Sequence, residues 1–192
     1  TFHQNHDRIA RVMRSGLVED KLVTTHYLPD PLAVELRDKY GSDFKRVTRM
    51  FNTGDEIFAR EDKKLTMKGA FMEPDGIEMF SIPLLKGNTS AFRDPNSIIL
   101  STSFAKAMFD DADPINKTLT MRGSRELKVT GVYEKLPYNT EFHEVDFFAP
   151  YELFVLFNPW VNSQGFANNF LQVYVEIQPN GSFDHVSNHV KD

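Results

Sequence analysis

Residues 94–132 read DPNSIILSTSFAKAMFDDADPINKTLTMRGSRELKVTGV, and the succession of element signals in this stretch decides the fold class. Asn96 to Leu100 is a short apolar strand. Ser101-Thr102-Ser103 follows, offering hydroxyls that accept from the free backbone N–H groups of a helix start. Phe104 and Met108 lie four apart, as do Ala105 and Phe109, a spacing that gives a helix a broad apolar stripe. Asp113-Pro114 ends it. Thr118 to Met121 and Glu126 to Tyr133 then read as strands around the turn Arg122-Gly123-Ser124. Asp110, Asp111 and Asp113 resemble half of a calcium loop, but such a loop needs a central Gly and a Glu at its twelfth position. Pro114 and the apolar Ile115 come next instead, so these carboxylates read as helix-ending and turn residues.

Outward from this block the elements stay mixed. Residues 7–13 suit a strand or a short helix. Asp30-Pro31 is a helix start, with Leu32, Leu36 and Tyr40 at helical spacing and Gly41 as a left-handed stop, which predicts a helix over residues 31–40. Strands are expected from Lys45 to Phe51, Glu56 to Arg60 and Leu65 to Phe71, the last two forming a hairpin across Glu61-Asp62-Lys63-Lys64. Pro74-Asp75-Gly76 opens a helical turn that ends near Phe80. Beyond the central block, Phe142 to Phe148 is a strand candidate, Pro150-Tyr151-Glu152 starts a helical turn, and Asn158 to Asn169 reads as a polar crossing loop. In Leu171 to Ile177, apolar Leu171, Val173, Val175 and Ile177 alternate with Gln172, Tyr174 and Glu176, the clearest strand signature in the chain. Ser182 caps a last helix with Phe183, Val186 and Val190 on one side. Strands and helices without a regular βαβ rhythm indicate an α+β fold.

Composition narrows the function. The chain has 192 residues, 41% hydrophobic and 26% charged, which is a globular balance. Its 17 Phe residues need a packed interior or a partner surface. The net charge of −5 and the lack of a dense basic cluster argue against nucleic acid as a partner. With no Cys there is no disulfide, no thiol catalysis and no Cys-based zinc site. No apolar run approaches the ~20 residues that span a bilayer. A chain that begins at Thr1 reads as a piece of something longer.

Signatures of chemistry are sparse. There is no Gly-rich phosphate loop and no Gly-x-Ser-x-Gly elbow. His185 and His189 are four apart on the last expected helix, a spacing that can present two imidazoles to one metal. Val186 stands where a metalloprotease needs Glu, and a zinc site needs three or four ligands, so the pair reads as a solvated helix face. His3 and His6 have the same weakness, and the four imidazoles would approach only if the chain ends meet. Glu141 and Glu144 carry no weight as a carboxylate pair. Trp160, Phe166 and Phe170 read as aromatics that fold back onto the core rather than as a partner surface. No catalytic, cofactor-binding or metal residue is assigned.

Several short motifs occur in a recognisable order. Asp94-Pro95-Asn96-Ser97-Ile98-Ile99-Leu100-Ser101, Ala105-Lys106-Ala107-Met108-Phe109, Asp113-Pro114-Ile115-Asn116-Lys117-Thr118-Leu119 and Val129-Thr130-Gly131-Val132 resemble the MacB-like periplasmic core domain of FtsX-like ABC transporter permeases, in the variants common in Bacteroidetes. Asp7-Arg8-Ile9-Ala10-Arg11-Val12, the segment from Gly76 to Gly87, and Leu136-Pro137-Tyr138-Asn139-Thr140 are similar to flanking parts of the same family. The resemblance spans nearly the whole chain. The family usually reads Phe-Gly and Ile-Gly where this chain has Phe109-Asp110 and Ile115-Asn116, which implies positive φ at Asp110 and Asn116.

The resemblance implies an extracytoplasmic domain in two parts. Residues 1–88 and 165–192 would form a porter-like α/β-sandwich, and residues 89–164 an inserted, mainly-β sabre-like part. It implies no catalytic residues and no cofactor. The implied role is to couple ATP-driven motion of membrane helices to substrate export or to periplasmic partners. Those partners would be a cytoplasmic ABC ATPase, a second permease subunit and a periplasmic adaptor. This reading expects residues 1 and 192 close together at one end. A ligand-binding or sensor module would instead show an enclosed apolar pocket with convergent polar groups. A metal-dependent hydrolase would bring side chains with strongly shifted pKa values together.

Overall fold

The computed structural model describes residues 5–190. Eleven strands and six helices follow in chain order: β1 (Ile9–Arg11), β2 (Arg14–Val18), β3 (Lys21–Thr25), α1 (Leu32–Tyr40), β4 (Phe44–Arg60), β5 (Lys63–Met72), α2 (Pro74–Met79), β6 (Leu84–Gly87), β7 (Ser97–Ser101), α3 (Thr102–Phe109), β8 (Thr118–Met121), β9 (Arg125–Tyr133), β10 (Phe147–Pro150), α4 (Tyr151–Phe157), α5 (Val161–Gln164), β11 (Gln172–Ile177) and α6 (Phe183–His189). The fold is α+β, with one large mixed sheet and few helices. Residues 1 and 192, whose proximity the sequence reading turns on, lie outside the described residues, as does His3.

The sheet runs β1-β11-β4-β5-β10-β7-β9-β6, with β8 pairing both β4 and β9. β4 organises it. Its first half pairs with β11, from Phe44↔Ile177 to Met50↔Gln172. From Met50 to Arg60 it pairs along its other edge with β5. Near its end, Phe58 and Ala59 face Met121 and Thr120 of β8. Because β5 pairs β10, β10 pairs β7, β7 pairs β9 and β9 pairs β8, six strands close into a ring that begins and ends at β4.

Neighbouring residues on the strands enter different cores, the expected result of a period of two. Phe71, Leu100, Phe147, Val173 and Val175 join one cluster with residues of α1, α3, α4 and α6. Ala70, Ile99, Phe148 and Tyr174 join the other, with Ile77 and Met79 of α2 and with Phe92. The Phe-rich composition is spent here: Phe58 contacts the rings of Phe104 (5.0 Å) and Phe147 (4.9 Å), and Phe80 meets Phe142 (4.8 Å) and Tyr174 (5.0 Å). Geometries of this kind add to simple area burial.

Most expected elements are present, and the differences have local causes. The separate strands expected at Lys45–Phe51 and Glu56–Arg60 are one strand, and the hairpin turn shortens to Glu61-Asp62. Asp30 does not cap α1, because its carboxylate is taken by Arg49 and Tyr151. Gly41 is right-handed (φ −57°), so the helix runs on into a turn rather than stopping in a left-handed cap. α3 ends at Phe109, before Asp113-Pro114, because Asp110 takes φ 55°. Asn116 has φ 64°, so both positions expected to have positive φ do so. Ser101 caps α3, accepting from the Phe104 N–H, and Ser182 caps α6, accepting from the His185 N–H. Of the candidate strand Phe142 to Phe148, only Phe147 and Phe148 are extended in β10, since Val145 N–H turns back to the Phe142 carbonyl.

Gly69 faces Phe147 across the β5–β10 pair, and a Cβ there would lie 2.3 Å from the Phe147 ring. The Gly69→Ala variant is expected to lose about 1–3 kcal/mol of stability through overpacking, measured by urea denaturation at an unchanged m-value.

Candidate functional site

Three ion-pair networks tie the sheet to its helices. Glu73 follows β5 and precedes α2. Its carboxylate accepts from the Arg49 backbone N–H (2.7 Å), from Arg49 Nη2 (2.7 Å) and from Arg37 of α1. Arg49 also donates to Asp30 (2.9 Å) and lies over the Tyr151 ring at 4.6 Å, while the Tyr151 hydroxyl donates to Asp30 (2.6 Å). Two cations and two carboxylates thus join α1, β4, the β5–α2 junction and α4. Burial alone would push the Glu73 carboxyl up, but Arg49 and Arg37 together hold it below its ordinary value. Burial, and then the Asp30 hydrogen bond, push the Tyr151 hydroxyl well up, so it stays protonated and donates.

The second network surrounds Glu176 of β11, whose side chain is fully buried. Arg46 (2.7 Å), Lys45 (3.1 Å) and Arg8 (3.9 Å) converge on it, and Arg46 reaches on to Glu78 of α2 (2.6 Å). A buried carboxylate that lost these cations would be strongly destabilising, so edge strand β1, β11 and β4 are held in one register. The third network is bidentate: Arg122 donates Nε (2.8 Å) and Nη2 (2.5 Å) to Glu56, beside the β4–β8 pairing that closes the ring.

The surface is less uniform. β2 and β3 form a ribbon of their own, turning at Glu19 (φ 49°) and Asp20 (φ 60°). Leu17 and Leu22 face each other across it and are 73% and 72% exposed. A two-stranded ribbon is marginal in water by itself, so this apolar pair is unusual. A groove of about 510 Å³ runs between β1 and α6, with walls of Ala10, Val12, Phe44, Val175, Phe183 and Val186. The first and last described elements therefore lie side by side. Other clefts are lined mainly by charged and polar side chains, as at Lys68, Lys135, His143, Glu144 and Asp146.

The residues weighed from sequence separate clearly. Asp110, Asp111 and Asp113 do not converge: they pair with Lys63, Lys106 and Lys86 respectively, as turn residues. Glu141 accepts from Tyr174 (2.9 Å) and pairs with Arg11, whereas Glu144 pairs with Lys68. Phe170 packs against the core, and Trp160 sits edge-on to it at 4.8 Å, but Phe166 is 56% exposed. His185 and His189 do share a face, and Asp43 joins them, a carboxylate too distant in sequence for a spacing argument to find.

The family model of the MacB-like periplasmic core domain matches residues 1–192. The chain belongs to that family. Its structure is similar to a domain of a permease protein from Porphyromonas gingivalis, with a TM-score of 0.82 at 22% identity, covering 98% of this chain and 81% of that one. It is also similar to the periplasmic region of MacB from Actinobacillus actinomycetemcomitans (TM-score 0.65, 18% identity, 86% and 72% covered). The extracellular domain of the ABC-type transporter YknZ from Gram-positive bacteria follows (TM-score 0.58, 14% identity, 84% of each chain covered). At these identities the likeness shows the fold. None of the curated proteins matches the chain. A MacB-like periplasmic core domain belongs to an ABC transporter permease, a membrane protein, and lies on its periplasmic side. Among the described residues no helix is long and apolar enough to cross a membrane.

The Glu73 network carries a pH signature. Because its pKa is depressed, the stability it contributes is present above the ordinary value of 4.5 and is lost as pH falls through the folded-state value. The Glu73→Gln variant should be less stable at neutral pH, by up to about 3–5 kcal/mol, and should lose less stability between neutral pH and acid than the parent. Thermal melts across that range check both outcomes.

Proposed function

We propose that this domain performs no chemistry of its own and acts as a rigid periplasmic arm of an ABC transporter permease. It couples ATP-driven motion of membrane helices to substrate export or to contacts with periplasmic partners. The observation that carries this reading is the path of β4. At one end β4 is locked to β11, which is locked to β1, so the first and last described strands are adjacent. At the other end the same strand enters the closed ring. A displacement applied near β1 and β11 is delivered to the ring along one continuous strand by backbone hydrogen bonds.

In this reading residues 1–88 and 165–192 act as the porter-like part that receives the motion, and residues 89–164 as the sabre-like part that delivers it. The partners are a cytoplasmic ABC ATPase, a second permease subunit and a periplasmic adaptor. The β2–β3 ribbon offers apolar area for such contacts. A ligand-binding module has less support, because the apolar groove beside α6 has only Arg11 and Ser187 as polar lining. A hydrolase has less support too, since the strongly shifted hydroxyls of Tyr133, Tyr151 and Tyr174 are buried and bonded within the core network.

The test uses the full-length permease with its ATPase. A Glu56→Gln, Arg122→Met double variant loosens ring closure away from any membrane-proximal contact. Transport should fall several-fold while basal ATP hydrolysis is retained. Undiminished transport, in a variant shown by circular dichroism to remain folded, contradicts the proposal.

A further inference from the structure

We propose that Asp43, His185 and His189 form a binding site for a divalent transition-metal ion of the zinc class, clamping α6 to the turn between α1 and β4. The argument begins with spacing: residues four apart on a helix share a face, so His185 and His189 of α6 present their rings together, with centroids 5.9 Å apart. It continues with what they face. His189 Nδ1 lies 2.7 Å from Asp43 Oδ2, and His185 Nε2 lies 4.0 Å from Asp43 Oδ1. Both imidazoles aim a nitrogen at one carboxylate, and one ligand atom from each residue lies within 4.8 Å of the others. In a tetrahedral zinc site with bonds of about 2.0–2.1 Å, donor atoms stand about 3.3 Å apart. The difference is small enough for side-chain adjustment, above all of His185, the more exposed of the two histidines.

The carboxylate is well anchored. The Asp43 N–H donates to the Tyr40 carbonyl (2.9 Å), and its own carbonyl accepts from the Gln178 N–H (3.0 Å), which joins the end of α1 to the residue after β11. The Tyr40 ring meets His189 edge-on at 5.1 Å and limits its orientation. The side chain of Asp43 is 13% exposed, against 70% and 50% for His185 and His189. One firm ligand and two adjustable ones leave the fourth position open to water. Two imidazoles with one carboxylate suit zinc, nickel or copper, whereas calcium and magnesium prefer all-oxygen sets.

The ion would fasten the last described helix to the end of the sheet where β4 begins and β11 finishes, the region from which the proposed motion enters. The site stands or falls on its own ligands, whatever the domain couples. Isothermal titration of Zn2+ into the isolated domain at pH 7.5 should show one equivalent bound in the micromolar range. His185→Ala and Asp43→Asn should each weaken it at least about tenfold. Saturating zinc should raise the melting temperature of the parent by several degrees but not that of a His185→Ala, His189→Ala variant. Zinc binding that is unchanged in the double variant would assign the heat to His3, His6, His26 or His143 and overturn the proposal. So would the lack of any binding by the parent.

Discussion

The continuity of β4 is the constraint on which the rest of this structure depends. Seventeen residues run without interruption from Phe44 to Arg60, although pairing to β5 shifts register between Thr53 and Asp55. None of the strand's neighbours is as long as it is. It takes β5 on one edge and, in succession, β11 and β8 on the other. The pairing to β5 is a hairpin, but those to β11 and β8 each close a large loop in the chain, and each must be offset by side-chain burial. The two cores on the faces of the sheet supply that burial. Where apolar packing would leave a strand free to slide, a charged group locks it: Glu176 at the β11 end, Glu73 in the middle and Glu56 at the ring.

Rigidity of this kind is what the proposed role in transmission requires. Burying Glu176 among Arg46, Lys45 and Arg8 is a poor way to gain stability, because desolvation consumes much of the attraction. It is an effective way to exclude alternative registers, since any slip would strand a charge in the core. The same holds for Arg49 and Glu73, which fix α1 and α4 relative to the sheet. The β2–β3 ribbon lacks such locks and stands outside the large sheet, with Leu17 and Leu22 turned to solvent.

Much of the fold was legible because local rules and tertiary context agreed. Ser101 and Ser182 cap the helices they were expected to cap, and the strict alternation from Leu171 to Ile177 is a strand with both faces buried. Elsewhere context won. Asp30 has the sequence of an N-cap, yet Arg49 and Tyr151 are stronger partners for its carboxylate. The β2–β3 ribbon was invisible because Glu19-Asp20 adopts positive φ without the Asn-Gly signal that normally marks such turns. Phe142 and Val145 read as strand from their apolarity, but they are buried from a turn. The order of short motifs from Asp94 to Val132 carried the family, and no local pattern would have done so alone. Asp43 could not be read as a partner of His185 and His189, because nothing in sequence relates a turn after α1 to the final helix.

Rigid transmission is most directly tested by measuring distances inside the domain while the transporter works. The domain itself has no Cys, so paired spin labels can be placed in it once any Cys elsewhere in the transporter has been replaced. One label at Lys45 and a second at Ser124 would report across the length of β4 in the full-length permease with its ATPase. With the label at Lys45, the account predicts the same distance distribution in nucleotide-free, ATP-bound and post-hydrolysis states, while distances from Ser124 to the membrane helices change. A Lys45–Ser124 distance that shifts with nucleotide would contradict it.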